Sequence, residues 1–419
     1  MLIIYPHWPP SNLVGVHRVR LIANELHALG WKPTVLCIDE RDYEESLAHD
    51  TEQLVQSEVE VVKVRAIEPI HILGKRMLGD IGLRGWIPLK KKAKELLGSN
   101  RFDFIWFSMP SWYPSLMGYS LSSRYKVPFG IDYQDPWIHE IPNHHIGLNR
   151  ATLTIQLAKI LEPLALRGAS LISGISEGYL AGVKNRYSRL RSTPFVCAQL
   201  GFSPRDHQIE LSTFQLPFQK GKRTYVYAGA HWAMGAPLFS MFLQALERLK
   251  HRNELPTDVH FLFIGTGNPE LPSLTEQISS MGLSDFVSEI PERLSYLEVQ
   301  QILRSSDGAM IIGSVQPHYS ASKVFQCLLT APRLLGFFHK DSEAASILRI
   351  CNAHAFFAPY DSDSEAEFNL SQIENTLVKF IDPGEPWNPD LSKLDSFSAC
   401  ASASKLVEAI ESILHPTQP

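Results

Sequence analysis

Short apolar runs rich in β-branched and aromatic residues alternate with stretches of helical periodicity along nearly the whole chain. In the first half the runs are LIIY (2–5), PTVLCI (33–38), EVVKVRA (60–66), FDFIWFS (102–108), VPFGIDY (127–133), LISGIS (171–176) and FVCAQLG (195–201). Between the first two, Val19, Ile22, Ala23, Leu26 and Leu29 fall on one face of a 3.6-residue period, and Gly30 supplies the stop. Strand, helix, strand in that order predicts a parallel sheet. The second half repeats the pattern with TYVYAGA (224–230), VHFLFIG (259–265), FVSEI (286–290), GAMIIG (308–313), RLLGF (333–337) and AFFAP (355–359). Helical stretches such as PLFSMFLQALERLK and SYLEVQQILRSSD separate them.

Two doubly wound α/β domains are therefore expected. The first is residues 1–204; 205–222, polar and without either period, reads as a linker; 223–390 form the second domain. Residues 391–419 end in an amphipathic helix, SASKLVEAIESIL, expected to return to the first domain. In such folds ligands sit beyond the carboxyl ends of the strands, which makes the cleft between the domains the expected site.

Composition narrows the function classes. A net charge of −5 gives no nucleic-acid footprint. The five cysteines are scattered without a CxxC pair, which speaks against a disulfide framework or zinc site and fits a reducing cytoplasm. No run is long enough for a membrane span, and the opening MLIIYPHWPP lacks the basic start of a signal peptide. Residues 71–97 differ from the rest: seven basic residues stand against two acidic ones, with Trp86 and several leucines among them. That combination suits either a solvated basic helix face or contact with an anionic membrane surface.

Candidate chemistry lies in the turns after strands. The loop PHWPPSNLVGVHRVR carries Gly15, where a backbone approaches a ligand closely, and Arg18 as an added cation. IDYQDPW ends a strand with Asp132 and Asp135; Asp135 either contacts a reacting group or sugar hydroxyl, or opens a turn anchored by Trp137. YAGAHWAMGAP offers Gly229, Gly235 and His231, and FIGTGNPE offers Gly265 and Gly267 without a third fingerprint glycine. The Asp361–Asp363 pair reads as a solvated turn, and no metal cluster is expected. SASKVFQCLL (320–329) brings Lys323 to a helix start behind a small-residue turn, one way to build a phosphate site.

In order and content these segments resemble retaining glycosyltransferases of the GT-B architecture, in the family 4 group. PPSNLVGVHRVRLIANELHALGWKPTVL resembles the family's opening strand-loop-helix-strand, with Gly15 and Arg18 at recurring positions. IDYQDPW is similar to its D-F-R-D-P-W segment, with Gln134 for the arginine. LISGISEGY and QLGFSPRD resemble the strand end and turn around its interdomain crossing. SASKVFQCLLTAPRLLG resembles its nucleotide-diphosphate segment.

The resemblance implies two Rossmann-like domains and a nucleotide-diphosphate sugar as donor. It implies a glycan, lipid-linked or small-molecule acceptor and no cofactor or metal. It assigns the diphosphate to Ser322 and Lys323, the ribose to residue 326, and the base to the 291–295 loop with Arg293. Gly229, Gly265 and His318 complete the donor set, with Lys323, Asp135 and His231 as catalytic candidates.

Three departures stand out. His231, Trp232 and Met234 occupy the place of an arginine and lysine; His318 and Gln326 replace two glutamates; Ala331-Pro332-Arg333 replaces glycine-lysine-proline. A catalytically impaired nucleotide- or partner-binding protein is the alternative these departures support; a sugar-nucleotide epimerase is a third reading, for which no acid pair is apparent.

Overall fold

A computed structural model describes residues 1–72, 75–138, 150–317 and 323–416. The chain divides into two units, Met1–Ser203 with Ser396–Pro419, and Pro204–Asp395. In unit 1 the chain runs through β1 (Leu2–Ile4), α1 (Val14–Leu26), β2 (Thr34–Ile38), β3 (Glu60–Val64), β4 (Ile70–Ile72) and β5 (Lys75–Leu78). It continues through α2 (Ile81–Arg84), α3 (Trp86–Ser99), β6 (Ile105–Ser108), α4 (Gly118–Tyr125), β7 (Phe129–Tyr133) and α5 (Arg150–Ala165). β8 (Leu171–Gly174), α6 (Glu177–Arg186) and β9 (Phe195–Cys197) close the unit.

Seven of these strands form one parallel sheet in the order β3-β2-β1-β6-β7-β8-β9. The period-two alternation of β1 sorts its side chains. Leu2 and Ile4 join a core layer with Leu89, Met117, Leu121 and Ala158 from the helices on that face. Ile3 and Tyr5 join the opposite layer with Val19 and Ile22 of α1. A last helix, Ala399–Leu414, packs in that second layer through Leu406 and Ile410. The antiparallel pair β4–β5 overlaps the start of the basic 71–97 segment, where the apolar pattern predicts no strand.

Unit 2 comprises β10 (Arg223–Ala228), α7 (Ala236–His251), β11 (Val259–Ile264), α8 (Leu274–Ser280), β12 (Val287–Ile290) and α9 (Tyr296–Ser305). β13 (Gly308–Ile312), α10 (Lys323–Thr330), β14 (Leu334–His339), α11 (Glu343–Ile350), β15 (Phe357–Tyr360) and α12 (Ala366–Ile381) follow. Its six parallel strands run β12-β11-β10-β13-β14-β15. This is the 3-2-1-4-5-6 order of a dinucleotide-type fold, with the reversal between β10 and β13. An aromatic core of Tyr225, Tyr227, Phe239, Phe242, Phe261, Phe263 and Phe380 fills one face.

The stretch read as a linker is partly folded onto unit 2. Pro204–Gln208 forms a 3-10 turn with Asp206 and His207 buried. His207 Nδ1 meets Gln300 Oε1 at 2.7 Å, the Leu211 amide donates to Gln301 Oε1 at 2.7 Å, and Arg304 donates to the Ile209 carbonyl at 2.7 Å. These attachments are polar and irregularly spaced, so a search for apolar periodicity passes over them.

Candidate nucleotide-phosphate site

The strand order determines what meets in unit 2. Because β10 and β13 are neighbours with their connections leaving to opposite sides, the turns beyond their carboxyl ends open the crevice where such folds bind ligands. The turn after β10 begins at Gly229, whose amide donates to the Ile264 carbonyl at 2.8 Å. The connection after β13 leads to α10, which begins at Lys323. The two turns are fitted closely: a Cβ on Gly235 would stand 2.8 Å from the Gly313 carbonyl, and the Val315 amide donates to the Met234 carbonyl at 3.3 Å.

Lys323 and Gly229 meet in this crevice. A Cβ on Gly229 would overlap the Lys323 ammonium, so only glycine leaves the lysine its position. The ammonium lies 5.2 Å from the Tyr227 ring centroid, and Tyr227 donates its hydroxyl to the Ala230 carbonyl at 3.0 Å. Lys323 makes no ion pair or hydrogen bond with a described residue. Burial pulls it down to about 8; the neighbouring Cys327 opposes that shift and the charge of Arg293 adds to it.

Arg293 reaches the same region from the turn after β12. Gly265, at φ +76°, and Gly267 pin their amides to the Ile290 and Pro291 carbonyls at 2.8 and 2.9 Å. A Cβ on Gly265 would stand 3.7 Å from Arg293 Cγ. Arg293, exposed, has no ion-pair partner among the described residues. Two cations without carboxylate partners thus converge near the amino end of α10, an arrangement suited to a dianion. Gln326 stands one turn further along α10, and its side-chain amide makes no hydrogen bond with a described residue. His318 and Ser322 lie outside the described residues.

His231 contributes an imidazole instead of a cation. It is 4% exposed, packs 4.7 Å from the Phe239 ring, and is held below its ordinary pKa by burial, with Glu289 opposing. Burial thus favours its uncharged form, which differs from the cation that the resemblance places here. His231 lines an open pocket of about 390 Å³ together with Thr266, Asn268, Thr275, Glu289 and Pro291. Asn268 donates to the His231 carbonyl at 3.0 Å, and Glu289 accepts from the Thr266 hydroxyl at 2.6 Å and the Thr275 amide at 2.9 Å. His231 and the run Gly265-Thr266-Gly267-Asn268 are the residues by which the sequence points to this pocket.

The candidates in unit 1 behave differently. Arg18 is fully buried and spends its guanidinium within the protein, donating to Asp132 at 3.0 and 3.3 Å and to the Gln199 carbonyl. Ser108 and Ser173 complete the Asp132 carboxylate at 3.1 and 2.7 Å. The space beside Gly15 is taken by Tyr5, whose hydroxyl would lie 2.5 Å from an added Cβ. Gln134 donates to the Gly15 carbonyl at 3.1 Å and to Ser108 at 2.9 Å. The glycine is thus required by the protein's own packing. Asp135 is exposed beyond β7, while Trp137 is 7% exposed and stacks on Trp112 at 5.2 Å, the role of a core anchor. Asp361 accepts from Lys340 at 2.8 Å and from the Asp363 amide at 3.1 Å, a turn closed on itself.

One cluster in unit 1 went unrecognised in the sequence. His7 Nδ1 and the Ser11 hydroxyl both meet Glu45 Oε1, at 2.8 and 2.5 Å, and tie the proline-rich loop after β1 to the loop after β2. Residues 38 positions apart offer no local pattern.

No family model and no curated protein matches the sequence. Solved structures do match over their full length. The Anabaena protein Alr3699/HepE, solved with UDP and glucose, aligns at a TM-score of 0.57 and 15% identity, covering 98% of this chain and 100% of that one. A UDP-forming α,α-trehalose-phosphate synthase from Burkholderia xenovorans aligns at 0.58 and 12%, covering 100% and 99%. The N-terminal domain of Candida albicans trehalose-6-phosphate phosphatase aligns at 0.55 and 13%, covering 98% and 96%. The fold is that of the GT-B enzymes, with two Rossmann-like α/β domains. At these identities the likeness concerns the fold, and the chemistry resides in the site.

Proposed function

We propose that this protein is a glycosyltransferase that moves a sugar from a nucleoside-diphosphate sugar to a glycan, lipid-linked or small-molecule acceptor. The observation that carries the reading is the Lys323 ammonium seated against Gly229 at the strand-order reversal of unit 2, with Arg293 beside it. Glycosyl transfer requires stabilising a departing diphosphate, and fixed cations near a helix start do so where that charge develops. HepE, of the same fold, binds UDP and UDP-glucose, which supports a nucleotide sugar as donor here. Lys323 and Arg293 supply positive charge that a metal provides elsewhere, so the reading is metal-independent transfer. We read the reaction as retaining, with a leaving-phosphate oxygen taking the acceptor proton. The setting is cytoplasmic assembly of a cell-surface polysaccharide, with the basic 71–97 segment against an anionic membrane surface.

A second reading, a catalytically impaired GT-B protein that binds a nucleotide or a partner enzyme, is favoured by one observation. Burial disfavours the charged form of His231 where the resembled family carries a cation, and Gln326 replaces a carboxylate. Incubation with a panel of uridine, guanosine and adenosine diphosphate sugars separates the two. Release of nucleoside diphosphate by wild type, lost in Lys323→Ala, supports transfer. Binding without release for every donor supports the second reading, and no binding at all refutes both.

A further inference from the structure

α5 carries its large aliphatic side chains on the outside. Leu153, Leu157, Ile160 and Leu164 follow one another at intervals of four, three and four residues and so form one row along the helix. They are 61%, 43%, 62% and 54% exposed. The opposite face, turned to the core, holds Ala158 and Ala165, and Glu162, which accepts from Tyr133, Arg186 and Tyr187. A helix that only covers a core places its large apolar residues inward and polar ones outward. Here Ala158, Ala165 and the paired Glu162 face inward with Leu161 partly buried beside them, while the four-residue row outside is an apolar surface of the kind that marks an interaction site.

The rim of the row is basic. Lys159 is exposed beside it. At its carboxyl end Arg167 lies 4.3 Å over the Tyr119 ring, itself 40% exposed, and Arg189 donates to the Pro163 carbonyl. Residues 150–191 contain seven basic and two acidic side chains, and one of the acids, Glu162, is buried in its pair with Arg186. α3 belongs to the same core layer as α5 and presents Ile87, 61% exposed, with exposed Lys91 and Lys94. Aliphatic side chains in a row, flanked by cations and an arginine-backed tyrosine, match the chemistry of a bilayer boundary. There acyl chains accept the row, headgroup phosphates meet the cations, and an aromatic ring sits between.

The four-three-four spacing is also that of a coiled-coil seam. Residues flanking the row are Thr154, Gln156, Leu161 and Pro163, which offer no opposite charges for pairing. A second copy of the helix would also bring one basic rim against another. The charge pattern favours an anionic partner.

We propose that α5 seats unit 1 on an anionic bilayer, its Leu153–Leu157–Ile160–Leu164 row entering the acyl boundary while Lys159, Arg167 and Arg189 meet the headgroups. This deepens the membrane contact read above for 71–97 and is independent of the nucleotide site. The test is cosedimentation of the full chain with vesicles of phosphatidylcholine alone or mixed with phosphatidylglycerol, at low and high salt. Variants are Leu157→Glu with Ile160→Glu, and Lys91→Glu with Lys94→Glu, all at exposed positions; thermal unfolding and UDP calorimetry check that each pair leaves the fold and the nucleotide site unchanged.

Wild type is expected to bind the phosphatidylglycerol vesicles in a salt-sensitive way. The α5 pair should lose roughly tenfold or more of that binding, and the α3 pair a smaller share. Full binding by the α5 pair with loss in the α3 pair overturns the proposal and leaves the 71–97 contact standing. Loss in the α5 pair alone supports α5 and overturns 71–97. Unchanged binding in both pairs, or no binding by wild type, overturns both. A wild-type dimer in light scattering that the α5 pair converts to monomer assigns the row to a second copy and overturns the proposal.

Discussion

The Lys323 ammonium fills the space that a side chain on Gly229 would need. These residues are almost a hundred positions apart and come from turns on either side of the strand-order reversal, so their contact is a consequence of topology. It makes the absence of a side chain at 229 as important to the site as the charge at 323. It also leaves the charge without a carboxylate partner among the described residues, beside a second cation, Arg293.

Two substitutions should therefore give the same binding defect by different routes. Lys323→Ala removes the cation and should cost about 1.5–3 kcal/mol of nucleoside-diphosphate affinity, the range for a hydrogen bond to a charged group. Gly229→Ala keeps the cation but forces it away, and should lose a similar amount. Neither should lower the unfolding midpoint by much, since Lys323 makes no ion pair with a described residue on which the fold could depend. Calorimetry with uridine, guanosine and adenosine diphosphates measures this. Unchanged affinity in Lys323→Ala for every nucleotide that binds wild type would move the site elsewhere.

The depressed lysine predicts a pH dependence. Its charged form predominates below about 8 in the free protein, whereas an unfolded chain keeps the ordinary value of 10.5. The unfolded state therefore holds more protons between these values, and this residue's contribution to folding stability rises as pH increases through that window. Binding follows the opposite sign: a diphosphate favours the charged lysine, so affinity should fall above pH 8. Calorimetry near pH 8.5 in buffers of different ionisation enthalpy should report proton uptake on binding. Lys323→Arg should abolish that uptake, because arginine stays charged throughout. Equal uptake in the variant would assign the proton to another group.

Both parallel sheets and most helix positions were legible in the sequence because parallel strands buried on both faces read as apolar runs between amphipathic helices. Lys323, Gly229 and Gly265 were legible as a cation at a helix start and glycine turns after strands. That they share a site with Arg293 was implied only by the resemblance, since convergence depends on strand order. Arg18 shows the opposite failure. An arginine in the loop-to-helix region after β1 looks like a phosphate ligand, and nothing local announces that Asp132, 114 residues away, will claim it. The outward row on α5 is not legible for a related reason: periodicity identifies an apolar face without saying which way it turns.

The Arg18–Asp132 pair should accordingly be a stability determinant of unit 1. Asp132→Ala leaves a buried guanidinium without its carboxylate, and Arg18→Ala leaves a buried carboxylate with only two serine hydroxyls. Each should cost about 3–5 kcal/mol, as when one member of a buried pair is removed. Their combination should cost much less than the sum. Urea unfolding of the two single variants and the double variant measures the coupling. Wild-type stability in Arg18→Ala, with lowered nucleotide affinity, would restore the phosphate role and overturn the structural one.

Gln326 provides the sharpest test of whether the site is a working or a diminished one. It lies one turn from Lys323 on α10, and its amide makes no hydrogen bond with a described residue. If it faces the ribose, Gln326→Glu replaces a neutral acceptor by a carboxylate, and a charge-assisted hydrogen bond is roughly twice as strong as a neutral one. Affinity for uridine or guanosine diphosphate should then rise several-fold, while affinity for inorganic pyrophosphate, which has no ribose, should gain nothing. The new carboxylate would also stabilise the lysine's charged form, so the fall of affinity with pH should begin at a higher pH in the variant than in wild type. Calorimetry with both ligands across that range gives the two readouts together, and donor turnover measured alongside shows whether the glutamine limits catalysis. Equal changes in nucleoside-diphosphate and pyrophosphate affinity would place residue 326 at the phosphates instead of the ribose.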